Sequence, residues 1–371
     1  MTAGAAPAAS RVCHSCGQPV GATDSFCESC GAELAPPSVS DGAGGGPQVC
    51  ESCSSSRITA DGFCESCGHR ARSGRDHQEV DLGLVAGVTD RGLRHHRNED
   101  AMALATADIA AGGPAVVAVV CDGVSTSSRP DEASLAAARA AARVLLAGVR
   151  TGTDPAETSP AAVRAATEAV TALAGPQGDA PAATFVSAVL TAGAATVCWL
   201  GDSRAYWLAA DPDSAGQLTT DDSLAEEMVA AGLLSEEDAL ASAHGHVVTR
   251  WIGADLGDLE PHVVRFEPPG PGALLLCSDG LWNYQPEAAG LAELALPAAL
   301  TDPLGAVRTL VSFALAAGGG DNVTAVLVPV SSAQPAPGLP PAAEPPASSE
   351  PPALSEPPPA PEPPPAPAGL T

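Results

Sequence analysis

Lysine is absent from this chain of 371 residues. All 17 basic residues are arginines, set against 44 acids, for a formal net charge of −27. So little positive charge excludes general nucleic-acid binding, which depends on neutralising phosphates, and argues against attachment to an anionic membrane surface. Long apolar runs are missing too: none approaches 18 residues, so no membrane span is expected. The N-terminus lacks a basic segment followed by an apolar stretch, so no secretory signal is evident and a cytoplasmic location is the expectation. Aromatic residues make up only 3 %, which leaves Ala, Val and Leu to build the core.

Cysteine, by contrast, is plentiful. Eight of the 11 fall within residues 13–67, and Cys121, Cys198 and Cys277 lie in apolar runs, where they read as small buried hydrophobes. The eight form a repeat: Cys13, Cys16, Cys27 and Cys30, then Cys50, Cys53, Cys64 and Cys67. In each copy two C-x2-C pairs stand ten residues apart. Four thiolates at this spacing suit tetrahedral Zn²⁺. Gly17, Gly31 and Gly68 follow the second cysteine of a pair, where a tight knuckle needs backbone freedom. Disulfides are the competing reading, disfavoured in a cytoplasmic chain. The pattern resembles the double zinc ribbon of many prokaryotic proteins. With every position a cysteine, two structural Zn²⁺ ions are expected and no open catalytic position. Two arginines against seven acids in residues 1–68 make a partner-binding or spacer role the better expectation for the ribbons than nucleic-acid binding.

The expected organisation is a disordered segment 1–12, zinc ribbon units 13–31 and 50–68 around a Gly-rich linker 32–49, a basic linker 69–80, one large domain 81–331, and a disordered Pro-rich tail 332–371. In the large domain LGLVAGVTD, AVVAVVCDG, ATFVSAVLTA, ATVCWLGD, SRAYWLAA and NVTAVLVPV read as strands. A helix is expected from near Ser128, with Pro130, Asp131 and Glu132 in its first turn. A second is expected from Ser159 as cap to Gly175, a third over the acidic stretch SLAEEMVAAGLLSEEDALASA, and a last over LGAVRTLVSFALAAG. Helices that come in pairs or as insertions, not in alternation with strands, point to an α+β domain whose two antiparallel sheets are flanked by helices.

Four aspartates end or begin these apolar runs beside small residues: Asp122 in VVCDG, Asp202 in WLGDS, Asp279 in LLCSDG and Asp321 in GGGDNV. Asp-Gly is also a common turn signal. Carboxylates converging from several strand ends, however, make an oxygen cage for a hard cation such as Mg²⁺ or Mn²⁺. The segment GLRHHRNEDA, residues 92–101, adds Arg94, His95, Arg97, Glu99 and Asp100, apt for holding phosphate and orienting metal-bound water.

Taken in order, GLRHHRNEDA, VVCDGVS, ATFVSAVL, WLGDSRAYWL, QLTTDDSLAEEMVAAGLL, HVVTRWIG, LLLCSDGLW and GGGDNVTAVLV resemble the metal-dependent serine/threonine phosphatases of type 2C over residues 81–331. The resemblance implies a four-layer α-β-β-α sandwich with two metals, and in bacterial members a third. Asp122 would bridge two metals, the Gly123 carbonyl would bind one, and Asp279 and Asp321 would complete the second. Asp202 would serve the third, weaker site, and is expected to tolerate mutation best. Glu99 and Asp100 would hold metal-bound waters, and residues 222–246 would form a mobile flap. Phosphoprotein substrates and an opposing serine/threonine kinase are the implied partners. Two departures stand out. His95 occupies the place of an arginine that contacts phosphate in many members, leaving Arg94 or Arg97 as substitutes, and Val124 replaces the residue after Asp-Gly that can donate a proton when it is histidine. They motivate an alternative, a non-catalytic adaptor that binds phosphoproteins.

Overall fold

Apolar side chains alternate along the strands, and both alternating sets are buried. In Gly113–Asp122, Val117, Val119 and Cys121 enter one core while Val116, Ala118 and Val120 enter another. Such a strand lies in an inner layer with packing on each side. The computed structural model describes the backbone of 11–12 and 19–20, residues 39–40, 53, 55–57, 59 and 64–68, and 74–331 except 110–112, 176–179, 236–237, 239–246 and 254–259. The expected disorder at 1–12 and 332–371 therefore falls almost wholly outside the described residues, as do Cys13, Cys16, Cys27, Cys30 and Cys50.

From His77 the elements run β1 (His77–Asp81), β2 (Ala86–Asp90), β3 (Asp100–Ile109), β4 (Gly113–Asp122), α1 (Pro130–Thr151), α2 (Pro155–Thr171), β5 (Ala182–Ala183), β6 (Phe185–Thr191), β7 (Ala194–Leu200) and β8 (Arg204–Leu208). They continue as β9 (Gly216–Gln217), α3 (Leu224–Ala230), β10 (Ile252–Gly253), β11 (His262–Phe266), β12 (Gly272–Cys277), α4 (Asp279–Trp282), α5 (Ala288–Ala299), α6 (Pro303–Ala317) and β13 (Val323–Val330). One antiparallel sheet has the order β9-β8-β12-β13-β2-β1, the other β11-β7-β6-β4-β3. Met102, Leu104, Val120, Leu274, Leu276 and Val326 fill the space between the sheets. α1 and α2 cover the outer face of the five-stranded sheet, and α5 and α6 that of the six-stranded one. This is the expected α-β-β-α sandwich.

Alanine lets α1 pack closely. Ala133, Ala137, Ala138, Ala141 and Ala142 are fully buried on its inner face. At Gly148 an added Cβ would stand 2.4 Å from Thr158 of α2, so this helix contact requires glycine.

Several expectations need correction. α2 begins at Pro155, not at Ser159. Asp154 caps it, accepting from the Ala156 N–H at 2.9 Å, while Ser159 Oγ donates to the Pro155 carbonyl from inside the helix. Asp before Pro is a complete start signal and prevails over Ser-Pro four residues later. The acidic stretch forms α3 over Leu224–Ala230 and leaves the helix at 231–235; Asp238 is helical again, and much of the rest of the expected flap 222–246 lies outside the described residues. α5 has no counterpart among the expected elements. Finally, β1 begins within the expected linker 69–80, and Ser40, within the expected linker 32–49, pairs with Leu104 of β3.

Candidate active site

The register of β3 against β4 sets Asp100 opposite Asp122. β4 ends there because the Asp122 N–H donates to Thr184 Oγ1 at 3.1 Å and the Thr184 N–H to the Asp122 carbonyl at 2.7 Å. Gly123 follows at a point of close approach. Its N–H donates to the Glu99 carbonyl, and a Cβ would stand 2.5 Å from the Pro130 carbonyl oxygen. In the six-stranded sheet, Asp279 opens α4 just past the end of β12, and Asp321 just precedes β13. Gly280 lets these two segments touch, since a Cβ there would lie 1.9 Å from the Asn322 carbonyl oxygen. Asp202 follows β7 and Gly201. Asp122, Gly123, Asp202, Asp279 and Asp321 share one open cleft of about 720 Å³.

Like charges crowd this end of the sandwich. Burial pushes Asp100 up to about 6, although Ser278 Oγ and Thr324 Oγ1 both donate to its Oδ2 at 2.7 Å. Burial, then the charges of Asp100, Asp279, Asp202 and Asp321, hold Asp122 well above the usual carboxylate range. Asp279 is raised likewise, by burial first and then by Asp202, Asp321 and Asp100. Asp202 is pushed up to about 7 by burial and by Asp221, with Arg204 opposing. The buried Oδ1 atoms of Asp100 and Asp279 have no hydrogen-bond partner. Buried acceptors left without donors are costly. Hard carboxylate oxygens aimed at one cleft have the composition that Mg²⁺ and Mn²⁺ prefer, so the residues present fit such ions.

The loop before β3 is fixed largely by Asn322. Its Oδ1 accepts from the Glu99 N–H at 2.7 Å, and its Nδ2 donates to the carbonyls of Arg91 at 2.7 Å and Arg97 at 3.0 Å. Glu99 is buried with both carboxylate oxygens engaged, one by Arg97 Nε at 2.8 Å and one by Ser125 Oγ at 2.5 Å. Arg97 also reaches Asp131 at 3.5 Å. His95 Nε2 lies 3.0 Å from Asp321 Oδ1. Arg94 is exposed and makes no ion pair among the described residues. Of the three side chains considered for phosphate, His95 and Arg97 thus lie against acids, and Arg94 has no such partner among the described residues. Asn322, Asn98, Ser278, Thr324 and Thr184 were not singled out from sequence. The available signal was a polar residue inside an otherwise buried run, since each such group needs a partner.

A second group of buried charge adjoins the cleft. Arg204 meets Asp221 through two nitrogens, the shorter contact 2.8 Å, and donates to Tyr206 Oη at 3.1 Å. Its Cζ sits 3.7 Å from the ring centroid of Trp282, whose Nε1 donates to the Asp202 carbonyl at 2.9 Å.

In the second cysteine repeat, the sulfurs of Cys53, Cys64 and Cys67 lie within 4.8 Å of one another, and those of Cys53 and Cys64 are 3.4 Å apart without a disulfide. Four sulfurs at about 2.3 Å from one Zn²⁺ would stand about 3.8 Å apart, so these three fit a shared ion.

The double zinc ribbon family model matches residues 10–68, and the protein phosphatase 2C model residues 91–304. The serine/threonine phosphatase stp of Listeria innocua is 34 % identical over 146 residues, which is 39 % of this chain and 55 % of that protein. Serine/threonine protein phosphatase PstP of Mycobacterium tuberculosis is 30 % identical over 148 residues, 40 % of this chain and 27 % of that protein. The chain thus spans about half or less of the length of these curated relatives. Among solved structures, the PPM Ser-Thr phosphatase MsPP of Mycobacterium smegmatis aligns over 67 % of this chain and 99 % of its own, with 29 % identity and a TM-score of 0.52. A strand-end carboxylate cage between two sheets, set in a chain more than half of which the family model matches, identifies this protein as a member of the protein phosphatase 2C family, carrying a double zinc ribbon at its N-terminal side.

Proposed function

We propose that the chain is a metal-dependent protein phosphatase that hydrolyses phosphoserine and phosphothreonine. The observation that carries this reading is that Asp122, Asp202, Asp279 and Asp321 line one cleft, where the buried Oδ1 of Asp279 lacks any donor. Asp122, the Gly123 carbonyl, Asp279 and Asp321 would hold two Mn²⁺ or Mg²⁺ ions, and Asp202 a third. Two such ions supply a water nucleophile of lowered pKa and polarise the phosphoryl oxygens.

The protein's own residues do the positioning. Ser278 and Thr324 fix one oxygen of Asp100, which leaves the other to orient water in the cleft. Arg97 and Ser125 hold both oxygens of Glu99, so Glu99 braces the loop. Arg94, exposed and without an ion pair among the described residues, is the cation that meets the substrate phosphate. His95 beside Asp321 orients that carboxylate. Val124 lines the cleft and has no proton to give, so protonation of the leaving serine or threonine oxygen falls to solvent.

An intact carboxylate set argues against the adaptor alternative. The zinc ribbons hold two structural Zn²⁺ ions and bind a partner. A serine/threonine kinase supplies the phosphoproteins, and both act in the cytoplasm. Among the described residues no helix is long and apolar enough to cross a membrane. The test is p-nitrophenyl phosphate and phosphopeptide hydrolysis with Mn²⁺, wild type against Asp279→Asn. Well-folded wild-type protein without metal-dependent turnover would overturn the reading.

A further inference from the structure

Segments on both sides of the second cysteine repeat are bound to the catalytic domain. Before it, the Ser40 N–H donates to the Leu104 carbonyl and the Leu104 N–H to the Ser40 carbonyl, each at 2.8 Å. This antiparallel bridge lies on β3, the edge strand of the five-stranded sheet and the strand that begins with Asp100. Val39 packs against the core beneath α1 and α2. After the repeat, Asn98 Nδ2 donates to the Arg75 carbonyl at 3.1 Å, Arg75 donates to the Asp131 carbonyl at 2.8 Å, and the Arg91 N–H donates to the Asp76 carbonyl at 2.8 Å. Asp76 is buried. Both anchors therefore fall on the loop and strand that present Glu99 and Asp100.

We propose that the rim formed by the β3 edge and the loop 91–98 is a docking surface for the segments that flank the chain's own second cysteine repeat, and that zinc loading of this repeat steadies the loop that carries Glu99. Three physical points support it. An open sheet edge is a ready template for an extended segment, and here the chain supplies its own. Holding both ends of the segment between Ser40 and Arg75 costs closure entropy that grows with its free length. A metal that gathers Cys53, Cys64 and Cys67 shortens that free length and shifts the equilibrium toward the docked state.

Hydrogen exchange on the full-length chain tests this, with zinc content measured in parallel. Cys64→Ser removes a zinc ligand, whereas Ser40→Pro keeps every cysteine and removes one donor to β3. Both variants are expected to exchange about five- to tenfold faster than wild type at Leu104, the loss of one or two hydrogen bonds' worth of protection. Segment 91–98 should follow, while β8 and β12 stay as protected as before. Zinc-depleted Cys64→Ser protein with wild-type exchange in 91–104 would overturn the coupling. Ser40→Pro protein with Leu104 fully protected would overturn the docking. The readout is exchange, so it stands whether or not the chain turns over phosphate.

Discussion

Two groups of buried charge lie side by side at one end of this sandwich, and they are solved in opposite ways. Arg204 and Asp221 answer one another: each has its counter-charge, and Tyr206 and Trp282 complete the surroundings. Asp100, Asp122, Asp202 and Asp279 do not, since each has its proton affinity raised by burial and by at least one neighbouring acid. A pair that is satisfied within the fold serves the fold. A cluster that repels itself is held together by packing elsewhere and is ready for a cation from outside. The contrast separates structural from functional charge within a few residues of sequence, Asp202 and Arg204 belonging to different groups.

The largest effect should come from the unsatisfied group. Asp279→Asn removes a carboxylate from the cage, and metal-dependent turnover of p-nitrophenyl phosphate is expected to fall by about 10³-fold, the scale of several kcal/mol of transition-state stabilisation. Asp202→Asn, assigned to a weaker site, should cost less than about tenfold in the same assay. Equal losses for the two variants would erase the distinction between core and peripheral ligands.

The satisfied group should respond in stability instead. Asp221→Asn leaves Arg204 buried without its counter-charge, a loss of about 3–5 kcal/mol. A domain of this size would then melt about 10 °C lower. Asp122→Asn, measured without divalent metal, should have the opposite sign: the melting temperature should rise, because one of the mutually repelling carboxylates is gone. If both substitutions destabilised the metal-free protein alike, the two groups would not differ as described.

Much of this division was legible from sequence, and the part that was not has a physical reason. The carboxylates stand at the ends of apolar runs, and strand ends are where chains converge, so Asp122, Asp202, Asp279 and Asp321 could be read as one site from local pattern. Their supports could not. Asp100 and its hydroxyl donors Ser278 and Thr324 are 178 and 224 positions apart, and a lone serine or threonine in a strand declares no partner. Asn322 is in the same position, bonded to a loop more than two hundred residues away. The sandwich followed from period-two burial and paired helices. α2 starts at the first of two Pro-containing start signals that lie close together, and in α5 Pro297 sits in the last turn, where it obscures the helical pattern. Arg94 was one of three candidates for holding phosphate until the contacts of His95 with Asp321 and of Arg97 with Glu99 were visible.

The smallest effect tests charge pairing outside both groups. On β1, His77 Nδ1 lies 2.7 Å from Asp90 Oδ2, and its Nε2 lies 3.2 Å from Glu79, which also meets Arg308. The hydrogen bond to Asp90 raises the His77 pKa, with Glu79 adding to it and burial opposing. Because the folded state holds the proton more tightly, the pair stabilises the fold fully below the unfolded pKa of about 6.5, and this contribution is lost as pH rises through the raised folded value. His77 is part exposed, so screening keeps the effect below about 1 kcal/mol. Melting temperature should therefore decline slightly from pH 6 to pH 8 in wild type, and His77→Gln should flatten that part of the slope. A His77→Gln profile parallel to wild type would show the pair to be energetically idle. The pH dependence that comes from the carboxylate cluster, by contrast, should be suppressed by added Mn²⁺.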